Sequence, residues 1–525
     1  MSVTDADQTV VETEHALLVA YGRFAQQIGL ADALERIPFK MKTIDHRPQD
    51  KTVELLAHLL AGGMHVSELG KSAHPLVQDA AVAAAWGQES FASASGVSAL
   101  LRSVSAETVS TLKITLRQVI DPYRRRVLRA ISPSWLVIDL DLTGLVVSDQ
   151  ATTYEGADFG YMGEVDGTGR GYQFARAQLA GPQDPFVLGG FLHPGRTVEI
   201  HCLEELIALI EREVGRPRRR VELFDGRIQA LGERVTEVDA ELARRRNGNI
   251  FLRRHTKKWE AEREKLHDQI AQLQAQRAAL AAENAANLHP RRIILRMDGG
   301  FGHAAKLAWL DEQGYDFVAR VHNHRVSERL RQEEGLKWEK VSKNGFLAES
   351  KETSLGECPY PMRLFLCRQW WGDKRPERWS ALVATPSLPA DAWPPRRIGV
   401  FYNGRQTIEA GIKEGKGIFA SRHLPTRHRD GIAFYEELVL FAQNLVRWFR
   451  RQFLGHTLLA AASIKELVRI GANSHAQIRH DGCALILTFA PDGPWRDISL
   501  PLGRNVAACY QLALPFLDDW AAIRT

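Results

Sequence analysis

Cysteine is scarce and scattered. The 525 residues hold five, Cys202, Cys358, Cys367, Cys483 and Cys509. None sits at CxxC spacing, which argues against a zinc knuckle. An odd number without a framework fits a reducing compartment. Long hydrophobic runs are also missing: no stretch of 18 apolar residues occurs, so no membrane span is expected. The start, MSVTDADQTVVETEH, is acidic and has no apolar segment, so no signal peptide is expected. A cytoplasmic location follows as the expectation. The net charge of +5 permits a nucleic-acid partner without requiring one. The basic residues are uneven, with GRPRRR (215–220), LARRRNGN (242–249) and FLRRHTKK (251–258) in one region.

The length exceeds one small core, so two or three domains are expected. Residues 16–30 and 52–69 carry apolar residues at helical spacing. Residues 92–120 predict two more short helices, with Ser95 and Ser105 as N-caps. A helical DNA-binding module and a plain bundle both fit this region. The character changes at SWLVIDLDLTGLVV (134–147), where alternation puts Val137, Asp139, Asp141 and Thr143 on one strand face. Residues 172–181 and 185–192 predict strands, and 203–215 a helix. Val221, Phe224, Ile228, Leu231, Val235, Val238 and Leu242, then Leu266, Ile270, Leu273 and Leu280, predict an antiparallel heptad hairpin. Its outer faces fit a solvated arm, or one that touches DNA or a sister subunit. RRIILRMDGG (291–300) predicts a buried strand ending in Asp298. A helix (303–314), a strand (315–321) and a β-rich segment with a hairpin (362–371, 378–386) follow. A long helix (431–454) and a short tail with strand character complete the chain.

FYNGRQTIEAGIKEGKG (401–417) predicts a helix despite Gly411 and Gly415. Tyr402, Arg405, Glu409, Lys413 and Lys416 fall at steps of three and four, on roughly one face. A solvated ladder of ion pairs, worth about 0.2–0.5 kcal/mol each, fits that pattern. A metal site fits it too. Burying Asp139 and Asp141 in an apolar strand is costly without compensation. Asp298 ends a second apolar strand, and Glu409 adds a third carboxylate from a helix. Hard oxygen ligands of this kind suit Mg²⁺, and two such ions can clamp the oxygens of an in-line phosphoryl displacement. The element order, βββαβαβα, is the wiring of an RNase H-like fold.

On these residues the chain resembles a bacterial insertion-sequence DDE transposase of the group marked by Tyr-x2-Arg-x3-Glu-x6-Lys. Tyr402, Arg405, Glu409 and Lys416 match every signature position. Asp141 with Thr143 matches the Asp-x-Thr start, and LRMDGGF (295–301) resembles the second Asp motif. The coiled-coil hairpin departs from the group's pattern. The resemblance implies that Asp141, Asp298 and Glu409 are catalytic and hold two Mg²⁺ ions, with Mn²⁺ as a substitute and Asp139 as reserve ligand. It implies DNA contacts by Tyr402, Arg405, Lys413 and Lys416, with Arg296 beside them. Trp370 and Trp371, with Trp379 near and Arg368, Lys374, Arg375 and Arg378 around them, suit stacking on an unstacked base; they equally suit a small hairpin core. Gly411 and Gly415 leave room for a close backbone approach.

The expected fold is α/β, an RNase H-like mixed sheet with a helical N-terminal domain, an inserted antiparallel coiled-coil hairpin and an inserted β-rich subdomain. The expected bounds are 1–130 for the helical domain, 131–215 for the first part of the catalytic core and 216–288 for the hairpin. Then come 289–330 for the second part of the core, 331–398 for the β-rich insertion, 399–470 for the third part and 471–525 for the tail. The expected partners are double-stranded DNA, as terminal inverted repeats and target, and a second copy of the chain; the protein would then be nucleoid-associated. A domesticated relative that binds without cutting, a coiled-coil assembly protein and an RNA-cutting nuclease are the competing readings.

Overall fold

The computed structural model describes residues 10–504 apart from 43–44, 132–134, 149, 151, 164–166, 182–183, 248–255, 373–374, 482–483 and 497. Its strands are, in chain order, β1 (Val11–Thr13), β2 (Leu136–Val146), β3 (Asp158–Gly163), β4 (Gly167–Leu179), β5 (Phe186–Pro194), β6 (Ile293–Met297) and β7 (Asp316–Arg320). After these come β8 (Glu339–Lys340), β9 (Gly345–Glu349), β10 (Arg363–Gln369), β11 (Arg378–Ala384), β12 (Ala476–Asp481), β13 (Ala484–Phe489) and β14 (Ser499–Arg504).

The central sheet is mixed, in the order β3-β4-β2-β6-β7-β11-β10-β9-β8, with β5 also paired to β4. β2 lies antiparallel to β4 and parallel to β6, and β6 lies parallel to β7. The alternation in β2 explains its placement: Leu136, Ile138 and Leu140 enter the main core, while Asp139 and Asp141 leave from the other face. The arrangement is consistent with an RNase H-like transposase domain. β3 was not anticipated from sequence.

The expected hairpin at 362–386 forms, with Leu364 opposite Val383 and Leu366 opposite Ala381. It is not set apart from the sheet. β11 pairs antiparallel with β7, placing Leu382 opposite Arg320, so β8–β11 extend the central sheet.

Two long helices, Glu222–Arg246 and Thr256–Ala286, pack antiparallel. Phe224 meets Leu273 and Leu280 near the base, and Val238 and Leu242 meet Leu266 further out. Arg277–Asp225 (2.6 Å), Arg234–Glu262 (2.7 Å) and Arg246–Glu260 (3.1 Å) cross between them. Arg219 ties the base to Glu211 and Glu283, and Arg220 to Asp311 and Asp316. Residues 248–255, which join the two helices in sequence, lie outside the described residues, as do Lys374, Cys483 and Cys509. Cys202, Cys358 and Cys367 are unpaired thiols.

The expected bounds at 130 and 470 do not separate cores. One hydrophobic cluster runs from Ala16 to Leu502 and includes Leu136, Ile138 and Leu295 of the central sheet. β1 pairs with β12, so the two ends of the described chain share a second sheet, β1-β12-β13-β14. Ser105 accepts from the Thr108 amide as expected (3.3 Å), but Ser93 rather than Ser95 caps the Ala94–Ser103 helix. The helix after Ser105 is long, Ala106–Ile131, and runs through Pro122. No helix among the described residues is long and apolar enough to cross a membrane.

Glu54 sits in the Pro48–Leu60 helix at full burial, with one oxygen accepting from the Ala92 amide at 2.8 Å and the other unpartnered. Burial pushes its pKa from an ordinary 4.5 to about 8. A raised carboxylate pKa favours folding while the acid is neutral in both states. That contribution is complete below about 4.5 and is lost as pH rises through about 8. Thermal melts across this window are expected to show the wild type losing stability relative to Glu54→Gln as pH rises. Parallel curves would refute the assignment.

Candidate active site

Register explains how two aspartates from distant segments meet. In the parallel pair β2–β6, Asp139 is opposite Arg296. Two residues further along each chain stand Asp141, in the middle of β2, and Asp298, just past the end of β6. Asp298 closes β6 by accepting from the Gly300 amide at 3.2 Å. That bond turns the chain and fixes the carboxylate at the strand end.

The stretch expected as one helix is two. The first, Pro395–Asn403, ends at a turn at Gly404–Arg405, and the second runs Gln406–Gly417. Arg296 causes the break: its Nη1 donates to the Phe401 carbonyl at 3.0 Å, and a Cβ on Gly404 would stand 2.0 Å from that nitrogen. The signature is therefore split, with Tyr402 on the first helix, Arg405 in the turn, and Glu409, Lys413 and Lys416 on the second.

The turn aims Arg405 at all three acids. Its Nη1 is 3.2 Å from Asp141 and 3.5 Å from Glu409, and its Nη2 is 3.6 Å from Asp298. Burial opposes the guanidinium charge, but Asp141, Asp298, Tyr402 and Glu409 outweigh it and raise its pKa. Asp141 is buried. Desolvation pushes its carboxyl up to about 7; Arg405 opposes that rise, while Asp298 and Glu409 add to it. Glu409 is the open member, with its side chain 46% exposed.

Asp139 and Arg296 are engaged elsewhere than expected. Both are buried and face each other in a two-pronged ion pair, at 2.6 and 2.8 Å. Thr407 donates to the second Asp139 oxygen at 2.9 Å. A carboxylate so satisfied has little capacity for a metal, and a guanidinium so enclosed does not face DNA. The pair clamps β2, β6 and the helical turn together. Lys416 also makes a structural tie, donating to the Gly144 carbonyl of β2 at 2.6 Å. Lys413 is exposed, without an ion-pair partner among the described residues. Tyr402 is half-buried beside the cluster formed by Trp393 and Ile398.

Trp370 is 48% exposed and Trp371 half-buried. Trp379 packs edge-on to Trp338 at 5.9 Å beneath Arg331, so it belongs to the hairpin's own packing. Arg368 lies between Trp370 (5.8 Å) and Trp379 (5.7 Å). Because β11 runs antiparallel to β7 and to β10, the end of β10 and with it Trp370 lie at the same sheet end as Asp298.

The three carboxylates offer the hard oxygen donors that a divalent ion prefers, and burial of Asp141 demands a neighbouring cation. That donor chemistry fits Mg²⁺ or Mn²⁺. As placed, the acids are spread around Arg405, and no three His, Cys, Asp or Glu among the described residues are grouped tightly enough to ligate one ion.

A mixed sheet carrying Asp141 and Asp298, with a glutamate-bearing helix beside it, brings three carboxylates around one guanidinium. Residues 253–445 match the family model of the transposase DDE domain. Over that stretch the chain is similar to a transposase DDE domain, which supports a DDE transposase of the insertion-sequence type. The matched stretch holds Asp298 and Glu409, and Asp141 precedes it. No curated protein matches the chain.

Sequence reasoning missed Arg176, Gln178, Thr407 and Gln443, which surround the site. The one available signal was an arginine inside the apolar strand YQFARAQL; its partner depends on register. Breaking the clamp gives a direct check. Asp139→Asn leaves Arg296 buried without its counter-charge and is expected to cost about 3–5 kcal/mol in denaturant melts. A loss within experimental error would show that the pair is not what holds the turn.

Proposed function

We propose that the chain cuts the ends of its own mobile DNA element and joins them to target DNA by in-line phosphoryl transfer. The convergence of Asp141, Asp298 and Glu409, from three distant segments, on one guanidinium carries this reading. Repulsion among three acids is tolerated only where strong positive charge is expected. Asp141, Asp298 and Glu409 would hold two divalent ions, Mg²⁺ or Mn²⁺. Such ions, when bound, lower the pKa of water and offset charge on the attacking and leaving oxygens.

The protein's own groups do the rest. Asp141 is fixed within β2 and Asp298 at the end of β6, and Glu409, on the exposed side, adapts to the substrate. Once the acids are neutralised, Arg405 is free to grip a phosphate of the transposon end, with exposed Lys413 beside it. Lys416 reaches a phosphate from its position against Gly144, and Tyr402 orients Arg405. Trp370, with Trp371 next to it in the chain, stacks on a base at the cut end. Water attacks first, and the freed 3′-OH attacks next, so no covalent protein–DNA intermediate is needed. Cutting two ends together calls for two copies of the chain. The helices of residues 1–130 supply further DNA contacts in this reading.

The test is a gel assay with a labelled duplex carrying the element's flanking repeat, in Mg²⁺, Ca²⁺ or EDTA. Asp141→Asn, Asp298→Asn and Glu409→Gln are each expected to reduce cutting at the repeat boundary to background. DNA affinity should stay within about three-fold, because phosphate contacts lie elsewhere. Full cutting by any one variant removes that residue from the site. Binding without cutting in every lane would make the chain a DNA-binding relative without cleavage.

A further inference from the structure

A buried positive charge lies behind the carboxylates, and the mechanism above does not use it. Arg176 on β4 is the cross-strand neighbour of Asp141, so the two side chains leave the sheet on the same face. Arg176 is only 3% exposed, and no carboxylate among the described residues forms an ion pair with it. Burial, with Arg447 adding to it, lowers its pKa to about 9, against the pull of Glu414 and Asp141. Such a group is costly to keep and survives only through its hydrogen bonds.

Those bonds run to the glutamate helix. Nη1 donates to the Gly411 carbonyl at 3.2 Å, two residues beyond Glu409. Nη2 donates to Gln178 Oε1 at 2.8 Å. Gln443, from the Arg429–Phe449 helix, donates to the same Gly411 carbonyl at 2.8 Å. Gly411 permits the approach: a Cβ there would lie 2.6 Å from Gln178 Oε1 and 2.9 Å from Arg176 Nη2. The helix thus rests on a polar seat on the strand next to Asp141, at a height that a single methyl group would change.

We propose that Arg176 is a positioning residue: through the Gly411 carbonyl it sets the helix bearing Glu409 against the strand bearing Asp141, and so fixes the spacing of the two carboxylates. The proposal rests on reading both as metal ligands. The experiment uses the full chain with Mn²⁺ alone as probe, free Mn²⁺ being followed by electron paramagnetic resonance. DNA affinity in Ca²⁺ and melting temperature are measured beside it. Arg176→Lys is expected to weaken Mn²⁺ binding about ten-fold, with DNA affinity within about two-fold of wild type. Gly411→Ala should move Mn²⁺ binding the same way by lifting the helix. A lower melting temperature with unchanged Mn²⁺ affinity in both variants overturns the proposal. If Arg176→Lys does not fold, Gly411→Ala decides by the same two outcomes. Asp141→Asn separates the two levels. If it binds Mn²⁺ as wild type does, the ligand assignment fails, and the positioning role with it. If it loses Mn²⁺ while the other two variants keep it, only the positioning role fails.

Discussion

The structure around the site depends on one charge balance. Three carboxylates from β2, the end of β6 and the Gln406–Gly417 helix all lean on Arg405. At an effective dielectric near 20, two unit charges 4 Å apart interact by about 4 kcal/mol, so three unscreened acids would force the elements apart. Arg405 sits in the turn between two helices and reaches all three. The site is thus built around a place for positive charge, and the element that supplies it is the one that carries Glu409.

Two layers on the same pair of strands behave differently. Asp139 and Arg296 form a sealed, fully bonded layer. One step outward, Asp141 and Asp298 form a layer of like charge that leans on Arg405. Opposite charges directly across the β2–β6 pair neutralise each other. Like charges across the same pair cannot, and need help from outside the sheet. The inner layer has a second task. By holding the Phe401 carbonyl, Arg296 turns the chain at Gly404 and points Arg405 outward. The sealed pair and the carboxylate cluster are therefore coupled through one short turn.

The seat of the glutamate helix is largely polar. Thr407 bonds to Asp139, Gly411 to Arg176 and Gln443, and Lys416 to Gly144, while Glu414 pairs with Arg447. Among the helix's side chains only Ile408 is a buried hydrophobic. Apolar packing tolerates sliding, whereas directional hydrogen bonds fix register and height. A helix that must hold one carboxylate at a set distance from two others gains from the second kind of contact.

Much of this was legible in the order of residues. Alternation in β2 showed which face of the strand carries Asp139 and Asp141, because side chains alternate with a period of two. The heptad positions from Val221 to Leu280 specified the helical arm, because 3.6-residue periodicity is local. The spacing of Tyr402, Arg405, Glu409 and Lys416 pointed to the family. Tertiary structure decided the rest. Which aspartate pairs with Arg296 and which faces Asp298 depends on the β2–β6 register, and register is a relation between segments far apart in the chain. The break at Gly404 follows from Arg296 arriving from another strand. The extension of the sheet by β11 and the closure of β1 on β12 are long-range pairings that no local period encodes. Gly411 read as a costly residue in a helix; only Arg176 and Gln178, brought beneath it by the fold, show why nothing larger fits.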